Sequence, residues 1–171
     1  MKTRDGFVSN SSSSSFVVGF SKMPKSKEEL KKMLFGDEER YQHPYNDGTS
    51  YSTWDVASDV FERLSQSKPI STRGIAEELC HGWYEGKPDY SMPSGIDFQS
   101  KEGRSKFEKY SQEYEAEDKK VALGIAKQFA VANPGFKFYV FSYSDNNGEY
   151  GSAMEHGGLF DRLPCLHISH H

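Results

Sequence analysis

The chain has 171 residues, enough for one domain with a buried core, and its 35% hydrophobic and 14% aromatic content predicts a small interior built largely on rings. A net charge of -4, arranged as +4 over residues 1–36 and -7 over residues 37–100, leaves no large basic patch for a phosphate backbone, so nucleic-acid binding is not expected. No apolar run approaches the ~20 residues of a bilayer span, and Cys80 and Cys165, outside any CxxC pair, read as packed residues of a reducing compartment; the expected location is the cytoplasm, with no membrane partner.

Residues 1–15 read as a flexible leader, because the run Ser9-Asn10-Ser11-Ser12-Ser13-Ser14-Ser15 buries nothing and competes for backbone hydrogen bonds. A single domain is expected over residues 16–171. It opens with a strand at Phe16-Val17-Val18-Gly19-Phe20, apolar on both faces and so covered on both. Ser26 and Glu29 form a capping box for a first helix that carries Leu30, Met33 and Leu34 inward and stops at Gly36. A polar, Tyr-rich loop follows over 37–51. A second helix begins near Ser52 or Thr53, with Trp54, Ala57, Val60, Phe61 and Leu64 at helical spacing. A short third helix follows Ser71 and ends at Gly82.

After an irregular stretch over 83–100, the longest helix runs from about Ser100 to Asn133, with Gly103 and Gly124 as weak points and Asn133-Pro134-Gly135 as its end. Phe136 to Tyr143 alternates as a strand. Asp145-Asn146-Asn147-Gly148 has hairpin-turn chemistry, predicting a return strand over Glu149 to Glu155. Cys165 to His171 reads as a last short strand. The sum is an α+β fold: about four helices on a small, mostly antiparallel sheet made from the early strand and a C-terminal meander.

Two groups of residues are candidates for function. Glu155, His156, His167 and His170 gather near the C-terminus, and such residues favour zinc or another divalent metal. An extended tail works against this. His167 and His171 would share a face about 13 Å apart at ~3.3 Å per residue, and His170 would point the other way. No HExxH, paired CxxC or EF-hand pattern is present. A metal-free acid–base role for Glu155 and His156 lacks an identifiable nucleophile, and the plainer reading is structural histidines. The second group is the aromatic residues of the two long loops, Tyr41, Tyr45, Trp83 and Tyr84 above all. Tyr and Trp anchor many protein–protein contacts; the plainer reading is that these rings fold back over a lean core.

The stretch Arg4-Asp5-Gly6-Phe7-Val8-Ser9-Asn10 followed by five serines and Phe16 resembles the opening of a group of small uncharacterised bacteriophage and bacterial proteins. The segment from Asp145 through Glu155-His156-Gly157 to Ile168-Ser169-His170-His171 is similar to endings found among them. The resemblance implies a phage or prophage origin and carries no activity or cofactor with it. The expected function is therefore that of a non-enzymatic accessory protein contacting a host or phage protein; the alternative is a metal-binding protein or metal-dependent enzyme using the C-terminal cluster.

Overall fold

The computed structural model describes residues 13–46, 48–144 and 150–170. In chain order its elements begin with β1 (Ser13–Phe20), α1 (Lys27–Phe35), β2 (Arg40–Gln42), β3 (Ser50–Ser52) and α2 (Thr53–Gln66). They continue with α3 (Thr72–Cys80), α4 (Lys101–Ala132), β4 (Lys137–Ser144), α5 (Gly151–His156) and β5 (Cys165–Ser169). Among the described residues the fold is α+β: five helices around a small antiparallel sheet.

The sheet has the order β4-β1-β5, with β1 antiparallel to both neighbours. Successive side chains on a strand point to opposite faces, so β1 feeds two cores. Phe16, Val18 and Phe20, joined by Tyr139, Phe141 and Tyr143 of β4, face the buried side chains of α1, α2 and α5. Val17, with Phe138 and Ile168, faces Ile75, Ala76 and Leu79 of α3 and Ala122 and Ala126 of α4. Covered on both sides, β1 is buried from Ser14 to Phe20, as its unbroken apolar run predicts.

The helix starts follow the serines. Ser26, Ser52, Ser71 and Ser100 each accept an amide three residues on, from Glu29, Asp55, Gly74 and Gly103. Gly36, at φ 62°, closes α1 with a positive φ that glycine adopts freely. The helix α4 runs unbroken through Gly103 and Gly124. Gly103 has a packing reason: a Cβ there would collide with the Asp97 carbonyl, which lies against the helix. The stretch 83–100 forms a strap along the front half of α4. Tyr90 packs on Tyr110 and Tyr114, Phe98 packs on Phe107, and the Tyr110 and Tyr114 hydroxyls donate to the Ser91 and Pro88 carbonyls.

Three expectations are corrected. Ser13, Ser14 and Ser15 are not leader: they belong to β1, with Ser14 and Ser15 buried. Residues 1–12 lie outside the described residues, as do the turn at 145–148 and His171. In place of the return strand expected over Glu149–Glu155, residues Gly151–His156 form the helix α5, and the meander is replaced by an insertion of β1 between β4 and β5. The inner sheet position beside β4 is already taken by β1, and Ala153, Met154 and Glu155 are good helix formers. The loop 37–51 also contains an unpredicted ribbon, β2 paired with β3 through Arg40↔Ser52, Tyr41↔Tyr51 and Gln42↔Ser50.

Candidate functional site

The C-terminal candidates separate onto the two sides of the sheet. His167 pairs across β1 with Phe16 and stacks on its ring, centroids 5.0 Å apart, while its Nε2 lies 3.0 Å from Ser14 Oγ. His170 lies on the opposite face, its Nε2 2.9 Å from Ser15 Oγ and its Nδ1 3.3 Å from the His81 carbonyl. The alternation expected of an extended tail therefore holds. Glu155 and His156, placed on α5 rather than on a strand, come to the His167 side.

There they line a cavity of about 350 Å³ between α5, the turn after it, and β5. Phe16 and Phe160, centroids 5.5 Å apart, form its apolar wall. Glu155 is fully buried, with Oε2 3.6 Å from His156 Nε2. Tyr45, at the tip of the β2–β3 ribbon, presents its ring to the His156 ring at 5.2 Å and stands 74% exposed at the rim. Asp161 and Cys165 complete the lining. Burial, and then the nearby Asp161 charge, push the Cys165 thiol up to about 12, so it stays protonated and is no nucleophile.

The ribbon is locked to α5 from beneath. The buried Tyr41 hydroxyl donates to the Ala153 carbonyl at 2.8 Å, and Tyr51 packs edge-on against Tyr150. Burial raises the Tyr41 hydroxyl above its usual range, with Asp161 adding to the effect. A Cβ at Gly157 would strike the Tyr41 hydroxyl, which explains the glycine after α5.

The other face carries a broader cleft of about 570 Å³ between the strap, α3 and the end of β5, bordered by Trp83, Lys87, Tyr90, His81 and His170. Trp83 joins the sheet edge through its backbone, exchanging hydrogen bonds with Ser169 at 2.6 and 2.8 Å, and leaves its ring 61% exposed. Gly82 permits this approach: a Cβ there would lie 2.5 Å from the Ser169 carbonyl. Beneath the strap, Tyr84 donates to Asp118 Oδ1 at 2.6 Å, and Lys87 Nζ lies 3.1 Å from Asp118 Oδ2 and 2.7 Å from the Gly82 carbonyl. Burial and the Asp118 hydrogen bond hold the Tyr84 hydroxyl above its usual range.

Of the four aromatic contact candidates, Tyr45 and Trp83 are exposed, whereas Tyr41 and Tyr84 are buried. The latter two are corrected: their hydroxyls reach buried acceptors, which lets the whole ring go inside. Of the four metal candidates, Glu155, His156 and His167 line one cavity and His170 does not. Among the described residues no group of three His, Cys, Asp or Glu is placed to share an ion. Sequence reasoning passed over Ser14 and Ser15 as histidine partners, although their alternation continues that of Phe16 and Val17. Ser15 and His170 have the contact of a nucleophile and its base, but Ser15 is 4% exposed on the central strand and also bonded to Ser142, which makes the pair structural.

No family model matches the chain, and no curated protein or solved structure matches it. Among the described residues, no helix is long and apolar enough to cross a membrane.

Proposed function

We propose that the protein acts by contact with another protein, through Trp83 and the strap that follows it. One observation carries this reading: between residues 83 and 98, Trp83, Tyr90, Met92 and Phe98 are all large, apolar and exposed. Clustered exposed apolar side chains mark interaction surfaces more often than scattered ones do. Tyr90 and Phe98 are held by ring contacts to α4, so less ordering entropy is lost on binding. Trp is the residue type most enriched among binding hot spots.

The opening shared with bacteriophage and bacterial proteins supports placing the protein among phage or prophage accessory proteins, acting on a host or phage protein in the bacterial cytoplasm. A metal-dependent role for Glu155, His156 and His167 has less support, since no ligand trio forms among the described residues.

The test is affinity capture from host lysate with the full chain and two variants. A partner retained by the wild type and by a variant of the exposed α4 residue outside the strap, Val131→Ser, but lost from Trp83→Ala/Tyr90→Ala, is expected. Equal capture by all three proteins, or by none, removes the strap as a contact surface.

A further inference from the structure

Charge on the strap is one-sided. Residues 83–100 contain three acids, Glu85, Asp89 and Asp97, and one base, Lys87. All three acids are exposed. Lys87 is turned inward, 14% exposed, with its ammonium on Asp118 Oδ2 and the Gly82 carbonyl. The outer surface of the strap is therefore acidic. The helix beneath does not reverse that sign. Over residues 83–120 nine acids stand against seven bases, and Lys106 and Lys109 pair with Glu102 and Glu113 of α4 itself.

The acids are interleaved with exposed rings. Phe107, Tyr110, Tyr114 and Asp118 recur at helical spacing, so one face of α4 anchors the whole strap. Phe98 sits on Phe107, Tyr90 on Tyr110 and Tyr114, and Tyr84 with Lys87 on Asp118. Phe107 and Tyr114 are about 10 Å apart along the helix axis, so the anchored rings follow one another in a row. Asp97 precedes Phe98, Asp89 precedes Tyr90, and Glu85 follows Tyr84. At one end of the row, Trp83, Tyr90 and Asp89 line the cleft of about 570 Å³. The cleft's own basic groups are engaged within the chain: Lys87 by Asp118, His170 by Ser15 Oγ, while His81 Nδ1 faces Glu78 Oε2 at 4.0 Å. Ring faces attract cations, and an acidic surface repels anionic partners such as a phosphate backbone. Resting on the strap as the contact surface, we propose that it receives a basic–apolar segment of its protein partner. An Arg or Lys side chain enters the cleft that Trp83 and Tyr90 line, with Asp89 as counter-charge, and the apolar neighbours of that residue lie on Met92 and Phe98.

The experiment uses full-length Trp54→Phe, in which Trp83 is the sole tryptophan. Its fluorescence is followed on titration with the peptide acetyl-Leu-Arg-Phe-Arg-Leu-amide and with a matched peptide carrying citrulline, the neutral isostere, at both Arg positions. A saturable change with the arginine peptide is expected, roughly ten-fold weaker with the citrulline peptide and several-fold weaker on adding Asp89→Asn. Asp37→Asn, an exposed acid in the turn after α1, leaves it unchanged. Added salt weakens it, as it weakens any attraction between exposed charges. Equal binding of the two peptides, with both lost in Tyr90→Ala, overturns the preference for a basic partner but keeps the strap as a contact surface. Binding of neither peptide, or binding that Asp89→Asn leaves unchanged, also overturns the proposal; the strap itself is then judged by the lysate capture. A dimer in sedimentation that Trp83→Ala dissolves overturns it as well, because a second copy then covers the surface.

Discussion

Lys87 carries a charge beneath the strap because three groups receive it: Asp118 Oδ2 at 3.1 Å, the Gly82 carbonyl at 2.7 Å and the Tyr84 ring at 5.2 Å. The Lys87 and Asp118 side chains are only 14% and 9% exposed, so solvent does little to screen the pair. Removing one member leaves the other charged and poorly solvated, which costs about 3–5 kcal/mol, whereas replacing both by apolar groups of similar size is often close to neutral. Lys87→Met is therefore expected to lower unfolding free energy in urea by about that amount, and Lys87→Met/Asp118→Leu to recover only part of it, because the Tyr84 hydroxyl then loses Asp118 Oδ1 at a cost of about 1–3 kcal/mol. Additive losses from the two single changes would contradict a coupled pair. This network was not legible in the sequence. Lys87 and Asp118 are 31 positions apart, and neither residue type announces burial. The tyrosines failed for the same reason. Tyr41 and Tyr45 look alike on paper, yet one reaches the Ala153 carbonyl and is buried while the other finds only the edge of His156 and stays out.

Elements with a local signature were legible, and those fixed by distant partners were not. Four helices begin at a serine whose side chain takes the amide three residues on, and each start could be read before any contact was known. The helix α5 lacks that mark: Tyr150 sits at its cap without a side-chain hydrogen bond. Six residues are too few for a helix to hold itself in water, so α5 depends on what touches it. The buried Ala153 and Met154 dock it on the core, and the Tyr41 hydroxyl shares the Ala153 carbonyl with the Gly157 amide. Its displacement of the expected return strand also hid the cavity, because Glu155 and His156 reach His167 only from a helix end. Tyr41→Phe deletes the side-chain donor but leaves the ring. It is expected to cost about 1 kcal/mol globally and to speed amide hydrogen exchange at Met154 and Gly157 more than in α2 or α3. Uniform acceleration over all helices would show that Tyr41 supports the whole core and not α5 in particular.

At the scale of the molecule, the folded chain holds several weak acids protonated. Burial lifts the Tyr41, Tyr84 and Tyr143 hydroxyls above their usual value and the Cys165 thiol up to about 12. Once pH exceeds the ordinary thiol and phenol values, the unfolded chain gives up protons that the folded chain keeps. Stability is then present in full below about pH 9 and falls as pH climbs toward the folded values. The melting temperature is expected to hold from pH 7 to about 8.5 and drop above that, with Cys165→Ala blunting the earliest part of the drop; a flat profile to pH 11 would contradict the burial of these groups. The sheet sets how that loss is felt. Because β1 supplies Phe16, Val18 and Phe20 to one core and Val17 to the other, both helical layers fold on the same strand, one on each of its faces. The two tryptophans report the two sides: Trp54 is an exposed residue of α2, a helix of the first core, and Trp83 pairs with β5 beside the second. If the layers share one strand as a structural unit, Trp54→Phe and Trp83→Phe, each leaving a single fluorophore, give denaturation curves whose midpoints match those measured by circular dichroism on the same variant. A Trp83 signal that changes well before the circular dichroism would mean that α3, α4 and the strap detach first, and that the second core is a separable layer.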